Sequence, residues 1–233
     1  MKSQYVLPIT IVVAGALIAG AVFLVGKTAV PSNGGSSNVV ARPYDAGTDY
    51  ILGNPSAPVK VVEYMDLECP HCKTFHATMH KIMDFYGASG KVAWVVRPFP
   101  LANAHPKAVQ EAVAAECAGE QGGSVAYYKY LDKVFEVTPS NNGLDLAQLP
   151  VIAGQVGLDV NAFNSCLSSN KYGKKITDSY NEAIKLGAQG TPFTLIMVGG
   201  EAVTLPGGQP YDSMRAAIDA VLEGVGTATT TAQ

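Results

Sequence analysis

The sequence predicts an α/β fold: a small sheet carrying packed helices, interrupted by a helical block between the second and third core strands. Three observations point there. The apolar run Val59-Lys60-Val61-Val62-Glu63-Tyr64-Met65 passes into a helical stretch that opens with Cys69-Pro70-His71-Cys72. From about His105 to Leu186 apolar residues recur at spacings of three and four, the period of a helix face. Two short apolar runs then flank Gly199-Gly200, a hairpin signal.

Each element has its own reason. Val59–Met65 is a short branched and aromatic run and reads as a buried strand. Cys69–Tyr86 is the helix that follows it. Lys91–Arg97 is the second strand, ended by Pro98 and Pro100, which cannot donate to a ladder. Ala108–Cys117, Val125–Phe135, Leu146–Val156 and Ala162–Leu167 form helical runs separated by Gly- or Pro-containing breaks. Phe193–Val198 and Ala202–Leu205 form the hairpin, and Pro210–Leu222 a closing helix. The folded part is expected to span 44–223, with the insertion at about 101–188. Residues 27–43, which include Pro31-Ser32-Asn33-Gly34-Gly35-Ser36-Ser37-Asn38, read as a flexible linker. Residues 224–233, of Gly, Thr and Ala without apolar period, read as a disordered tail.

Composition fits a packed globular protein: 48% hydrophobic and 15% charged over 233 residues. A net charge of −3 with no basic block gives nothing that points to nucleic acid, and none is expected as a partner. Residues 1–26 carry no charged side chain from Ser3 to Gly26. An apolar run of about 20 residues is long enough to span a hydrocarbon core of roughly 30 Å, whereas a cleavable signal peptide usually has an apolar region of about 7–15. The segment therefore reads as an N-terminal, single-pass membrane anchor, with a removed signal peptide as the alternative. Lys2 and Lys27 flank it almost symmetrically, so the positive-inside rule is nearly silent. A short amino-terminal tail usually stays inside, which places the folded part outside the cytoplasm (periplasmic or extracellular). All four cysteines follow the anchor, as an oxidising compartment favours.

The chemistry is concentrated at Cys69 and Cys72. A strand feeding a helix that starts with C-x-x-C is the setting of a thioredoxin-like redox site. The first-turn N–H groups lack helical partners and the macrodipole is positive there. A thiolate at Cys69 is thereby stabilised, and a disulfide whose reduced form is stabilised is a strong oxidant. Cys69 is the expected attacking thiol and Cys72 the resolving one. Pro70 suits the first helical turn. His71 is expected to add a hydrogen bond or positive charge beside the thiolate. His76 and His80 lie four residues apart on the same helix, a spacing that metal ligands use, and a zinc site with the two thiols has suitable ligand types. They sit one and two turns away from the thiols, however, and no second element supplies an apparent partner. Neither metal nor cofactor is expected.

The motifs 66–73 (Asp-Leu-Glu-Cys-Pro-His-Cys-Lys), Arg97-Pro98-Phe99-Pro100-Leu101 and Gly190-Thr191-Pro192-Phe193, in this order, resemble the DsbA-like thiol–disulfide oxidoreductases, in particular their membrane-anchored bacterial members. The likeness covers roughly residues 50–223 and implies a thioredoxin-like fold with a helical insertion. It places Pro192 at the family's cis-proline position, where the Thr191 backbone meets the disulfide and offers a docking edge to an extended substrate. The Thr191 hydroxyl is then expected to donate to the Cys69 thiolate. Glu63 falls where such folds carry a buried acid, and it is expected to relay the proton of Cys72. Cys117 and Cys166 look like the second, structural disulfide of some members, with two free buried thiols as the alternative. The implied activity is disulfide transfer from Cys69–Cys72 to unfolded or newly exported cysteine-containing proteins. A membrane reoxidase or reductant is the implied partner and a monomer the expected state. An isomerase or reductase needs the same thiols, and a peptide-binding chaperone or metal carrier is a further possibility on this fold.

Overall fold

The computed structural model describes residues 40–230. The anchor at 1–26 and residues 27–39 of the linker lie outside the described residues. In chain order the elements are β1 (Tyr50–Gly53), β2 (Val59–Met65), α1 (Pro70–Tyr86), β3 (Val92–Pro98), α2 (Ala108–Val137), α3 (Gln148–Gln155), α4 (Val160–Ser169), α5 (Gly173–Lys185), β4 (Phe193–Val198), β5 (Glu201–Pro206) and α6 (Tyr211–Thr230). A 3₁₀ turn, Gly87–Ser89, follows α1.

The strands form one sheet in the order β1-β3-β2-β4-β5. β2 lies at its centre, parallel to β3 from Val59↔Val92 to Met65↔Pro98 and antiparallel to β4, with Tyr64 opposite Phe193. A parallel neighbour requires a crossover, and α1 supplies it. Side chains alternate along β2. Val59, Val61 and Met65 join Phe75, Met79 and Ile82 of α1, together with Met214 and Ile218 of α6. Val62 and Tyr64 pack on the other side with Leu195 and Ala183 of α5. Both faces are therefore covered, which is why β2 reads as a nearly continuous apolar run. Each fully buried side chain of this size contributes about 1.5–3 kcal/mol.

Three boundaries differ from the sequence reading. β1 was not expected: it has four residues, only one of them buried, and ends at Gly53 with φ of +98°, so it presents almost no periodic signal. Order also begins before Tyr44. Ala41 is buried, and the Arg42 and Pro43 carbonyls accept hydrogen bonds from Arg97 Nη2 at 3.2 and 3.1 Å. Arg97 is only 1% exposed, and a buried guanidinium needs acceptors for its donors. At the other end, α6 continues through Gly224 and Gly226 to Thr230 instead of giving way to a tail. Glycine costs a helix about 1 kcal/mol relative to alanine but does not forbid it.

The insertion begins with α2, which is broken at Gly122 and Gly123 (φ/ψ of −144°/22° and 61°/−151°). The runs Ala108–Cys117 and Val125–Phe135 are its two halves. Three residues before the break, a Cβ on Gly119 would lie 2.1 Å from Tyr50 Cζ, so glycine there is what lets β1 close onto α2. Among the described residues no helix is long and apolar enough to cross a membrane.

Candidate active site

Cys69 is the N-cap of α1, with extended backbone (φ −78°, ψ 121°), and Pro70 stands inside the first turn. Proline sacrifices nothing there, because the N–H it lacks has no helical partner. Cys69 and Cys72 are free thiols. Cys69 retains 5% exposure and Cys72 none, so Cys69 is the one that a partner can reach.

The two thiols differ sharply in acidity. Cys69 is lowered to about 5, first by a hydrogen bond from Cys72, then, against the cost of burial, by Thr191 and by the backbone N–H groups of Cys72 and His71. His71 thus acts through its amide, while its side chain is exposed. Cys72 is pushed well up, first by burial, then by Cys69 and by the charge of Glu63. One site therefore holds a good leaving group and a poor one.

The Thr191–Pro192 peptide is cis. Cys69 Sγ donates to the Thr191 carbonyl at 3.5 Å, so the backbone, not the hydroxyl, is the partner of the neutral thiol. The hydroxyl oxygen is buried without a partner, which leaves its proton free to turn toward a thiolate. Glu63 is fully buried beneath this site on the α1 side of β2. Burial raises its carboxyl to about 8, against a hydrogen bond from Trp94 and assisted by the charge of Cys69. Trp94 Nε1 donates to Glu63 Oε2 at 3.1 Å, and Oε1 has no partner.

The insertion clamps the start of α1. Lys73 Nζ donates to the Thr138 carbonyl at 2.7 Å. The Asn141 N–H donates to the Glu68 carbonyl at 2.8 Å, and the Asn142 N–H to the Glu68 carboxylate. Ser140, Asn141 and Asn142 adopt positive φ to do so. A buried acidic layer, invisible in the sequence, lies alongside. Asp66 Oδ2 accepts from the Leu101 N–H at 2.8 Å and faces His105 Nδ1 at 2.9 Å. Glu111 is raised to about 9 by burial and by the neighbouring Glu68. Only the fold shows that these acids are buried together.

Cys117 and Cys166 are bonded to each other, with Cα atoms 5.8 Å apart, tying α2 to α4. His76 and His80 do not approach the thiols as a ligand set. They converge instead on Asp132 of α2, at 2.6 and 2.7 Å.

Comparison with known proteins agrees with this geometry. The crystal structure of DsbA2 from Pseudomonas aeruginosa superposes with a TM-score of 0.64 at 27% identity, covering 77% of this chain and 97% of that one. α-DsbA1 from Wolbachia pipientis gives 0.66 at 27% identity, covering 79% and 94%. BdbD from Bacillus subtilis gives 0.67 at 21% identity over 79% and 98%, a likeness of fold alone. Among curated relatives, the Na⁺/H⁺ antiporter NhaA 1 of Mycolicibacterium gilvum is 29% identical over 157 residues, 66% of this chain and 24% of that protein. NhaA 1 of Salinispora arenicola is 32% identical over 151 residues, 64% of this chain and 22% of that protein. The chain thus spans about a quarter of the length of the curated relatives it matches. A family model described as thioredoxin matches residues 45–220; the chain belongs to the thioredoxin family, as a DsbA-like member.

Proposed function

We propose that the chain is a thiol–disulfide oxidoreductase that passes the Cys69–Cys72 disulfide to cysteine-containing proteins outside the cytoplasm. The inequality of the two thiols carries this reading: Cys69 is held near 5 while Cys72 is pushed up. A substrate thiolate attacks Cys69 Sγ, the Cys69–Cys72 bond breaks, and its electron pair leaves on Cys72. Glu63, protonated at neutral pH and carrying an unpartnered Oε1, is the nearby acid suited to give Cys72 its proton. A second substrate thiolate then attacks the mixed disulfide at the substrate sulfur and expels Cys69 as a stable thiolate. The substrate leaves with a disulfide, and the pair remains reduced by two electrons.

The Thr191 backbone beside Cys69 suits an extended peptide that docks by strand addition. The apolar stretch Ser3–Gly26 supports a tethered, extracytoplasmic enzyme that is reoxidised by a membrane partner. An isomerase or reductase would use the same residues but keep them mostly reduced. Equilibration with glutathione separates the readings. A potential nearer roughly −120 mV than −270 mV is expected for an oxidase, and one near the lower value would assign a reductant.

A further inference from the structure

We propose that His76, His80 and Asp132 bind a divalent transition-metal ion of the zinc class, at a site separate from the thiols. His76 and His80 are four apart on α1 and so share one helix face. Asp132 comes from α2, the second element that a metal site requires and that the sequence does not reveal. The ligand atoms of the three residues all lie within 4.8 Å of one another. His76 Nε2 and His80 Nε2 stand 2.6 and 2.7 Å from the same atom, Asp132 Oδ1, and 3.2 Å from each other. Zinc with bonds of about 2.0–2.1 Å has tetrahedral edges of roughly 3.3 Å. The N···N separation already matches that edge, and Asp132 Oδ1 has to draw back from the two nitrogens by roughly 0.6–0.7 Å to admit the ion.

Hydrogen bonding alone accounts for this triangle poorly. Asp132 Oδ1 can accept from both rings, but the 3.2 Å N···N contact then sets two donors against each other. Two lone pairs and a carboxylate oxygen directed at one cation remove that conflict. His76 Nδ1 is buried without a partner, so no second hydrogen bond holds its proton on Nε2, and the proton can reside on Nδ1 when Nε2 coordinates.

The surroundings suit an ion as well. The His76 ring lies 4.8 Å from Phe135 and 5.1 Å from Trp94, and the His80 ring 5.5 Å from Trp94, so the inner wall is aromatic. The outer side is open, with the Asp132 and His80 side chains 45% and 36% exposed. Three protein ligands and one open position form a two-histidine, one-carboxylate site of the kind that retains water or an exchangeable ligand. Imidazole with one carboxylate selects borderline transition metals over magnesium or calcium. A bound ion would join the active-site helix to the insertion behind Trp94, the residue that holds Glu63.

Zinc is the probe, and the full chain is used with Cys69 and Cys72 oxidised, so that no thiol competes. Equilibrium dialysis should retain one zinc per chain. His80→Gln and Asp132→Asn, at half-buried and exposed positions that the core does not need, should each weaken binding at least about tenfold, since even outer-shell partners are worth roughly 10–100-fold. Trp94 is the only tryptophan, so cobalt(II) should quench its fluorescence with saturation at one equivalent, and both substitutions should abolish that step. Failure of the oxidised chain to retain zinc would overturn the site, as would equal retention by the parent and both variants.

Discussion

The two cysteine pairs are almost equally buried, yet they are arranged for opposite purposes. Cys69 and Cys166 are 5% and 7% exposed, and Cys72 and Cys117 are both fully buried. Accessibility does not distinguish them; position along the helices does. Cys69 stands at a helix start, where the Cys72 thiol one turn on and, to a lesser degree, unpartnered N–H groups stabilise a thiolate. Cys117 and Cys166 lie within α2 and α4, where helical carbonyls already occupy the N–H groups. The first pair can exchange and the second can only hold. A bridge across 49 residues is worth roughly 4 kcal/mol of chain entropy.

That contrast can be broken most forcefully at Cys69. Cys69→Ser should abolish disulfide transfer altogether, while Cys72→Ser should accumulate substrate adducts through Cys69, visible on non-reducing gels. Adducts through Cys72 instead would reverse the assigned roles. The next effect belongs to the structural pair. Replacing both Cys117 and Cys166 with alanine should lower unfolding stability in urea by roughly 4 kcal/mol and leave the Cys69–Cys72 potential unchanged. A shifted potential would mean that the insertion tunes the site covalently.

The third effect is a slope. Glu63 titrates near 4.5 when unfolded and near 8 in the fold, so between these values the folded chain binds the extra proton. Its stabilising contribution is complete below the unfolded value and lost as pH rises through the folded one. Glu63→Gln should therefore match the parent near pH 4 and gain on it progressively to about pH 8–9, by a few kcal/mol at most. Parallel urea titrations at several pH values measure the difference.

The sequence made legible what is local. The strand entering Cys69-Pro70-His71-Cys72 and the runs that became α2, α3 and α4 each announce themselves within some twenty residues. What stayed hidden depends on the insertion folding back. Asp132 sits on an ordinary polar helix face, and nothing near it in sequence marks it as the partner of His76 and His80. Glu111 and Asp66 became a buried acidic layer only once α2 packed beside the start of α1. β1 escaped because four edge residues, only one of them buried, carry no period, and Arg97 fixed the start of the fold through carbonyls at Arg42 and Pro43 that a Gly- and Ser-rich stretch conceals.

Cys69 is held as a thiolate at neutral pH first by the hydrogen bond from Cys72, then by Thr191 and the first-turn N–H groups of Cys72 and His71. Following thiolate absorbance of the reduced full chain against pH tests it directly. A single transition near pH 5 that Cys69→Ser removes is the expected result, with Cys72 silent until well above pH 9. A first transition at about 8–9, the range of an unperturbed cysteine, would contradict it.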